Sequence, residues 1–134
     1  MTVQWDNDSP IYLQLYRQVI GRILDRHLKE GEALPSVRAV AAQYQINPVT
    51  ISKAYQMLQD EALVEKQRGK GLFVKLGVRE LVMEREKQRF LVQEWPLVLE
   101  QIKRLELSPD ELLASDALAS GSATSYRPQE EQAR

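Results

Sequence analysis

The side chains of this sequence that could do chemistry are mainly cations that lie in, or shortly after, an acid-free stretch of the first half. Arg68-Gly69-Lys70-Gly71 places two cations on a glycine-bearing loop, and Arg38 and Lys53 lie earlier in the chain. No acidic residue lies between Ser36 and Gln59. Cations on a surface without carboxylates can bind a polyanion, because no repulsion cancels their contacts. These groups predict binding to a nucleic acid.

The net charge of −1 hides an uneven distribution. Residues 1–77 hold ten Lys/Arg and eight Asp/Glu, whereas residues 78–134 hold eight and eleven. Residues 36–75 alone have six basic and three acidic side chains. A local excess of +3 also arises by chance in globular domains, so the elements that carry these charges must decide the interpretation.

The sequence has few residues that could form a catalytic site or a metal centre. The chain has no cysteine and a single histidine, His27, so neither a thiolate nor an imidazole metal centre is predicted, and no cofactor is predicted. Acids such as Glu84 and Glu86 lie on polar helical faces, where solvated charge is the simpler interpretation. The loop at residues 68–71 lacks the Ser/Thr of a nucleotide-phosphate loop. The sequence predicts that the protein is not an enzyme.

The sequence also bears on location. No apolar run approaches the roughly 18 residues that a bilayer span requires, and the first residues lack the basic and apolar regions of a secretory signal. We expect no membrane partner. The absence of cysteine favours a reducing compartment, and the prediction is a cytoplasmic protein.

Three helices are predicted in the first half. The first opens with Ser9 as N-cap and Pro10 at the first helical position, continues through Leu28 on apolar spacing, and ends by Gly31. A short second helix fits residues 36–44 with Ser36 as its cap. A third fits residues 48–60, with Asn47 as cap and either Val49 or Ile51 as its first inward residue.

The spacing of apolar residues then changes from that of a helix to that of strands. It predicts two strands, at 63–67 and 72–75, joined by the cationic loop. Three helices followed by a basic-tipped hairpin are the order of a winged helix-turn-helix, with a turn of three or four residues before the third helix. The predicted fold class is mainly α with a small β-hairpin, a winged helix-turn-helix over residues 1–77 followed by C-terminal helices.

Residues 78–107 are predicted to be helical, with a break at Trp95-Pro96, and to present an apolar seam. The alternatives are that this surface packs on its own winged domain or on a second copy, and the second is favoured. The predicted dimerisation residues are Leu81, Phe90, Leu91, Trp95, Val98, Ile102 and Leu105. A capping box at Ser108 and Glu111 opens a last helix to about Leu118, which completes a helical dimerisation region over residues 78–118. The tail, residues 119–134, is predicted to be disordered.

Three motifs in register resemble the GntR family of bacterial transcription regulators: Leu34-Pro35-Ser36-Val37-Arg38, Asn47-Pro48-Val49-Thr50-Ile51-Ser52-Lys53-Ala54-Tyr55, and Arg68-Gly69-Lys70-Gly71. The resemblance covers roughly residues 9–75. The second motif is similar to that of the YtrA-type subfamily, whose members have a short helical C-terminal region for dimerisation, and the stretch after residue 77 is of that kind.

The resemblance implies a set of DNA-binding residues: Ser36, Arg38, Asn47, Pro48, Val49, Thr50, Ser52, Lys53, Tyr55, Arg68, Gly69, Lys70 and Gly71. Val49 and Thr50 could touch a thymine methyl group, and Ser52 or Lys53 could bind base edges or phosphate. Asn47 and Pro48 have a structural role that would suffice alone, and Tyr55 fits the core or a phosphate contact better than a base. The wing could also be a plain hairpin with solvated charges.

Two positions depart from the family pattern. The family usually has glycine near position 62 and often near position 26, where this chain has Ala62 and Arg26. If the backbone at position 62 adopts a positive φ, alanine there costs on the order of 1 kcal/mol. Arg26 raises the same question for the end of the first helix.

The function implied is that of a sequence-specific DNA-binding transcription regulator, with repression the commoner outcome in this family. A homodimer with two-fold symmetry predicts an inverted-repeat operator in double-stranded DNA. The alternative is a winged-helix module for protein–protein contact. A small-molecule effector between the C-terminal helices and the winged domain, near Phe90, Trp95 and Tyr126, is a further possibility, although helically spaced aromatic residues are usually core.

Overall fold

The computed structural model describes residue 5 and residues 7–115, and it has the predicted mixture of helices and one hairpin. The elements are α1 (Ile11–Leu24), α2 (Val37–Tyr44), α3 (Pro48–Asp60), β1 (Val64–Gln67), β2 (Gly71–Val74), α4 (Val78–Arg89) and α5 (Trp95–Arg104). A π-helical turn, Phe90–Glu94, lies between α4 and α5, and residues 109–115 are also helical. The predicted fold class is confirmed.

The core of the winged unit forms where α1, α2, α3 and the hairpin meet. α1 contributes one apolar stripe at helical spacing and α3 another. The buried residues of α1 are Leu15, Tyr16, Val19, Ile20 and Ile23. Those of α3 are Ile51, Ala54, Tyr55 and Leu58. Ile51, fully buried, is therefore the inward residue at the start of α3, and Val49 is not.

Both predicted ends of α1 need correction. The helix begins at Ile11 with Pro10 at the N-cap and no side-chain cap, so Ser9 does not cap it. It ends at Leu24, because Arg26 adopts φ +63° and turns the chain. Leu28 is buried from the following loop and not from the helix.

Four helices end in the same way, with a non-glycine residue in the left-handed region. At the end of α3, the Leu63 N–H donates to the Leu58 carbonyl and the Ala62 N–H to the Gln59 carbonyl, which is a Schellman motif. Ala62 has φ +61°, so the condition stated for its strain is met. The corresponding residues after α1, α2 and α5 are Arg26, Gln45 and Glu106.

The hairpin is a two-stranded sheet whose second strand is also bonded to an extended segment before α2. β1 and β2 pair antiparallel with Val64 opposite Val74 and Gln67 opposite Gly71. On its other side, β2 bonds to the segment before α2: the Leu34 N–H donates to the Leu72 carbonyl at 2.8 Å. β2 therefore forms backbone hydrogen bonds along both of its edges, and these bonds connect the hairpin to the segment that precedes α2.

α4 begins within the winged unit. Val78 and Val82 are 4% and 2% exposed and belong to the same core as α1 and α3. By contacts the chain divides into Met1–Lys87 and Gln88–Arg134, ten residues later than the predicted boundary. The assignment of residues 78–118 to dimerisation remains a prediction, and the whole of the predicted tail, residues 119–134, lies outside the described residues.

Two polar arrangements fix the start of α4. A Glu30 carboxylate oxygen accepts the Arg79 N–H at 3.0 Å, and backbone hydrogen bonds from Gly77 and Arg79 lower the pKa of Glu30. The Arg79 side chain in turn donates to the Leu24 carbonyl at the end of α1, also at 3.0 Å. Glu30 thus satisfies a backbone donor in the first turn of α4, and Arg79 satisfies the carbonyl of the last residue of α1.

The break in the C-terminal helices comes earlier than predicted. Pro96 has no N–H, and its ring would clash with the carbonyl of residue 92 in a regular helix. The chain widens into the π turn instead, where the Trp95 N–H donates to the Phe90 carbonyl. The predicted capping box is confirmed: the Ser108 N–H donates to Glu111 Oε1 at 2.8 Å, and the Glu111 N–H donates to Ser108 Oγ at 3.1 Å.

Candidate nucleic-acid interface

The solvent-facing side of α3 is formed by residues three, four and seven positions apart. Val49, Ser52, Lys53 and Gln56 are all exposed, whereas the opposite side of the helix is buried. We call these four residues the α3 outer face. Sequence reasoning named the first three and missed Gln56, which the same spacing could have found. Thr50, at the margin of this face, is half-buried.

Side-chain caps fix the starts of α2 and α3. Ser36 Oγ accepts the Ala39 N–H at 3.0 Å, and Asn47 Oδ1 accepts the Val49 N–H at 2.9 Å. Pro48 occupies the first position of α3, where its missing N–H costs nothing. Both predicted caps are confirmed. Arg38 is exposed in the first turn of α2, two residues after its cap.

Lys53 has a specific partner outside its own helix. Its ammonium nitrogen lies 4.0 Å from the centre of the Tyr12 ring at the start of α1. Cation–π contacts at partly exposed sites are worth about 0.5–1 kcal/mol. Sequence reasoning counted Tyr12 only as an apolar residue of α1, because no local signal pairs residues so far apart in the chain.

An acidic residue, Asp60, follows the α3 outer face at the C-terminal end of the helix. The Gln56 amide donates to Asp60 Oδ1 at 2.9 Å, so this amide is engaged within the helix. Asp60 lies one turn further along and carries negative charge, which repels phosphate. The part of α3 suited to a polyanion is therefore its first two turns, from Val49 to Lys53.

Tyr55 is 4% exposed, and its hydroxyl donates to the Pro35 carbonyl at 2.8 Å. Burial raises the pKa of this hydroxyl to about 12, while the charge of Arg22 lowers it by a smaller amount. The group is protonated at neutral pH and serves as a hydrogen-bond donor. Its placement matches the core interpretation, with the tyrosine joining α3 to the turn before α2.

The wing tip is a short turn on which all four residues are exposed. The Lys70 N–H donates to the Gln67 carbonyl at 2.8 Å, and Gly69 has φ +76°. Gly71 follows with φ +110°, a value that side chains rarely allow. Arg68 and Lys70 therefore lie on a tight turn that depends on glycine.

A second polar cluster lies at the far end of α3. The Tyr16 hydroxyl of α1 donates to Glu61 Oε1, and Arg85 Nη2 of α4 lies 2.9 Å from the same oxygen. Burial and the bond to Glu61 raise the pKa of Tyr16 to about 12. Glu61, the residue that follows α3, is thus bonded to side chains of both α1 and α4.

The predicted dimerisation residues are exposed, apart from Ile102, which is half-buried. The exposed fraction is 37% at Trp95, 54% at Leu91 and 64% at Leu105. No residue of the π turn or of α5 is buried, so this part of the second unit has no core of its own. Of the predicted effector site, Tyr126 lies outside the described residues.

The described residues contain no group of three or more His, Cys, Asp or Glu side chains that could hold a metal ion. Within the same residues, no helix has both the length and the apolar character needed to cross a bilayer.

Comparison with known proteins identifies the class of protein. The model of the family described as "Bacterial regulatory proteins, gntR family" matches residues 11–74. YhcF of Bacillus subtilis (strain 168), described as an HTH-type transcriptional regulator, is 32% identical over 113 residues, which is 84% of this chain and 92% of YhcF. The chain belongs to the GntR family. It is accordingly a DNA-binding transcription regulator of the winged-helix type.

Two further relatives place this GntR member more closely. The HTH-type transcriptional repressor YtrA of Bacillus subtilis is 33% identical over 99 residues, which is 74% of this chain and 70% of YtrA. The crystal structure of a transcriptional regulator from Oenococcus oeni matches with a TM-score of 0.65 and 29% identity, over 88% of this chain and 97% of that one. The predicted likeness to YtrA-type regulators is confirmed.

Proposed function

We propose that this GntR regulator is a homodimeric repressor that binds an inverted-repeat operator. The observation that carries the proposal is the first two turns of α3, where an exposed face free of acids lies in the same unit as Arg38 and the wing cations. Such a face fits the major groove, while cations to either side fit the phosphate backbone or a narrow minor groove.

Each predicted site residue has a role in this proposal. Arg38 binds backbone phosphate from the start of α2, and Arg68 and Lys70 do so from the wing. Ser36, Asn47 and Pro48 set the helix starts, Gly69 and Gly71 shape the wing, and Tyr55 positions α3. The groups that face the DNA bases are Val49, Thr50, Ser52 and Lys53.

Dimerisation is proposed because the second unit exposes apolar side chains that need a partner. Trp95, Val98 and Leu105 are three and seven positions apart, as on one face of a helix, and are 37–64% exposed. One winged unit with few cations binds DNA weakly. Two linked units act at high effective concentration on one operator.

We further propose that the protein is cytoplasmic and has no catalytic activity. We also propose that a small molecule regulates it, whose identity the sequence does not indicate.

The test of the function is selection from a random duplex library by the full-length protein at two salt concentrations. We expect one inverted repeat and an affinity that falls steeply with salt, because phosphate contacts release counterions. Arg38→Ala and Lys53→Ala should weaken binding without changing folding or mass, whereas Lys103→Ala in α5 serves as a cation-removing control. Binding without sequence preference would favour the protein-contact alternative.

The test of the dimer is the mass of the protein in solution. Val98→Glu places a charge in the exposed apolar seam and should convert the dimer to a monomer, as measured by sedimentation equilibrium. Gln93→Glu adds the same charge in the π turn outside the seam and should leave the dimer intact. We expect the monomeric variant to bind its operator at least about 100-fold more weakly. An unchanged mass for Val98→Glu would contradict this interface.

A further inference from the structure

Val49 is the exception among the apolar residues of α3. It is 73% exposed, whereas Ile51, Ala54, Tyr55 and Leu58 are 0–4% exposed. Its side chain contributes nothing to the core, and it stands at the tip of the α3 outer face. Folding therefore gives no reason for an isopropyl group at this position.

The end of α3 that carries Val49 offers no backbone donor in its first positions. Pro48 has no N–H, and the Val49 N–H is taken by Asn47 Oδ1. The N–H groups of Thr50 and Ile51 both donate to the Asn47 carbonyl, at 2.9 and 3.3 Å. What this tip presents at position 49 is an apolar group, and a β-branched side chain in a helix is held in essentially one rotamer.

The floor of the major groove has one apolar group, the C5-methyl of thymine; the other base-edge groups there donate or accept hydrogen bonds. We propose that Val49 is a specificity-determining residue that reads the methyl group of one thymine in each operator half-site. This inference rests on the proposed function, and it narrows the operator to one that has a thymine opposite the tip of α3.

Hydrogen bonding by the neighbours does not replace this contact. Ser52 lies one turn further along the same face, and Lys53 is directed towards Tyr12 of α1 at 4.0 Å. Lys53 is therefore suited to supply charge and a hydrogen bond from the side of the face nearest α1, while Val49 supplies shape and apolar contact at its tip. Removing one methyl group from such a contact is worth roughly a fourfold change in affinity for each half-site.

The test uses operators in which single thymines are replaced by deoxyuridine, which pairs identically with adenine but has no methyl group. With the full-length wild-type protein, we expect one symmetry-related thymine pair whose replacement weakens binding by roughly 15-fold, from two half-sites together. Val49→Ala should bind the thymine and deoxyuridine operators equally. Ser52→Ala, on the same face, should keep the wild-type discrimination between them.

The outcomes separate the inference from the proposed function. If Val49→Ala keeps the full wild-type discrimination, or if no thymine replacement affects the wild type, the role of Val49 is overturned while operator binding stands. If selection yields no operator at all, the proposed function fails and the inference about Val49 fails with it. Because Val49 is exposed, its replacement by alanine should leave the unfolding midpoint unchanged, which circular dichroism checks.

Discussion

The ammonium group of Lys53 rests 4.0 Å from the centre of the Tyr12 ring and so joins α3 to α1 across the outer surface. Lys53 is the one Lys or Arg in α3. A free lysine loses rotamer entropy of about 1.5–2 kcal/mol when it is fixed on a ligand. The aromatic contact restricts the side chain beforehand, so part of this cost is met by folding.

Replacing Tyr12 should therefore weaken DNA binding through Lys53. We expect Tyr12→Leu to lower operator affinity by about two- to fivefold, which corresponds to the 0.5–1 kcal/mol of a cation–π contact. Tyr12→Phe keeps the ring and should be neutral. In a double-mutant cycle, Tyr12→Leu should have no further effect once Lys53→Ala is present. Additive losses, measured by fluorescence anisotropy, would show that the two residues act independently.

Ala62 is expected to be a stability defect. A left-handed conformation costs a non-glycine residue about 1–2 kcal/mol, while glycine adds about 0.4–1 kcal/mol of unfolded-state entropy. The strain is the larger effect, so Ala62→Gly should raise the free energy of unfolding by about 0.5–1 kcal/mol. Ala42→Gly, exposed within α2, should lower it by about 1 kcal/mol. Urea denaturation checks both, and a loss of stability in Ala62→Gly would refute the strain argument.

Alkaline pH should destabilise the fold through Tyr16 and Tyr55. Their pKa values are raised from 10.0 to about 12 in the folded chain. Above pH 10 the unfolded chain loses these two protons and the folded chain keeps them, so the free energy of unfolding falls between pH 10 and 12. Below pH 10 the contribution is fully present.

The measurement is the urea midpoint from pH 9 to 12 for the wild type and for Tyr16→Phe/Tyr55→Phe. The double variant loses two hydrogen bonds, about 1 kcal/mol each at neutral pH. Its midpoint should nevertheless fall less steeply above pH 10 than that of the wild type. Parallel curves for the two proteins would mean that these hydroxyls do not cause the alkaline loss.

The wing cations should contribute through the salt dependence of binding. Arg68→Ala/Lys70→Ala removes two phosphate contacts per protomer, and the slope of log affinity against log salt should fall by about 1.8 for each protomer. Folding should be unaffected, because both side chains are exposed on the turn. Lys103→Ala should leave the slope unchanged. A slope that stays at the wild-type value in the double variant would mean that the wing does not touch the backbone.

The sequence predicted those parts of the fold that depend on nearby residues. Ser36, Asn47 and Ser108 cap their helices as expected, because each capping oxygen and the backbone N–H that donates to it lie within three residues of each other. The end of α1 was misplaced, because the signal for a Schellman motif is glycine, and here the left-handed residue is Arg26. A helix break is predicted at Trp95-Pro96, whereas the irregular turn lies just before it, at Phe90–Glu94.

Long-range contacts were out of reach of the sequence patterns. The pairing of Lys53 with Tyr12, the bond from Tyr55 to the Pro35 carbonyl and the shared acceptor Glu61 each join elements that are distant in the chain. The motifs therefore predicted which residues form the candidate surface. They did not predict its geometry, and only the packing of the folded chain distinguishes buried Tyr55 from exposed Val49.

β2 is bonded to β1 on one edge and to the segment before α2 on the other, with the Leu34 N–H on the Leu72 carbonyl. The strand that begins at the wing tip is thus also bonded to the segment that leads into the helix carrying Arg38. Because these two elements are hydrogen-bonded to each other, we expect the spacing between Arg38 and the wing cations to change little when the protein binds DNA. With a constant spacing in the protein, the DNA must deform to match it, so we expect operators with easily deformed pyrimidine–purine steps between the contacted phosphates to bind best.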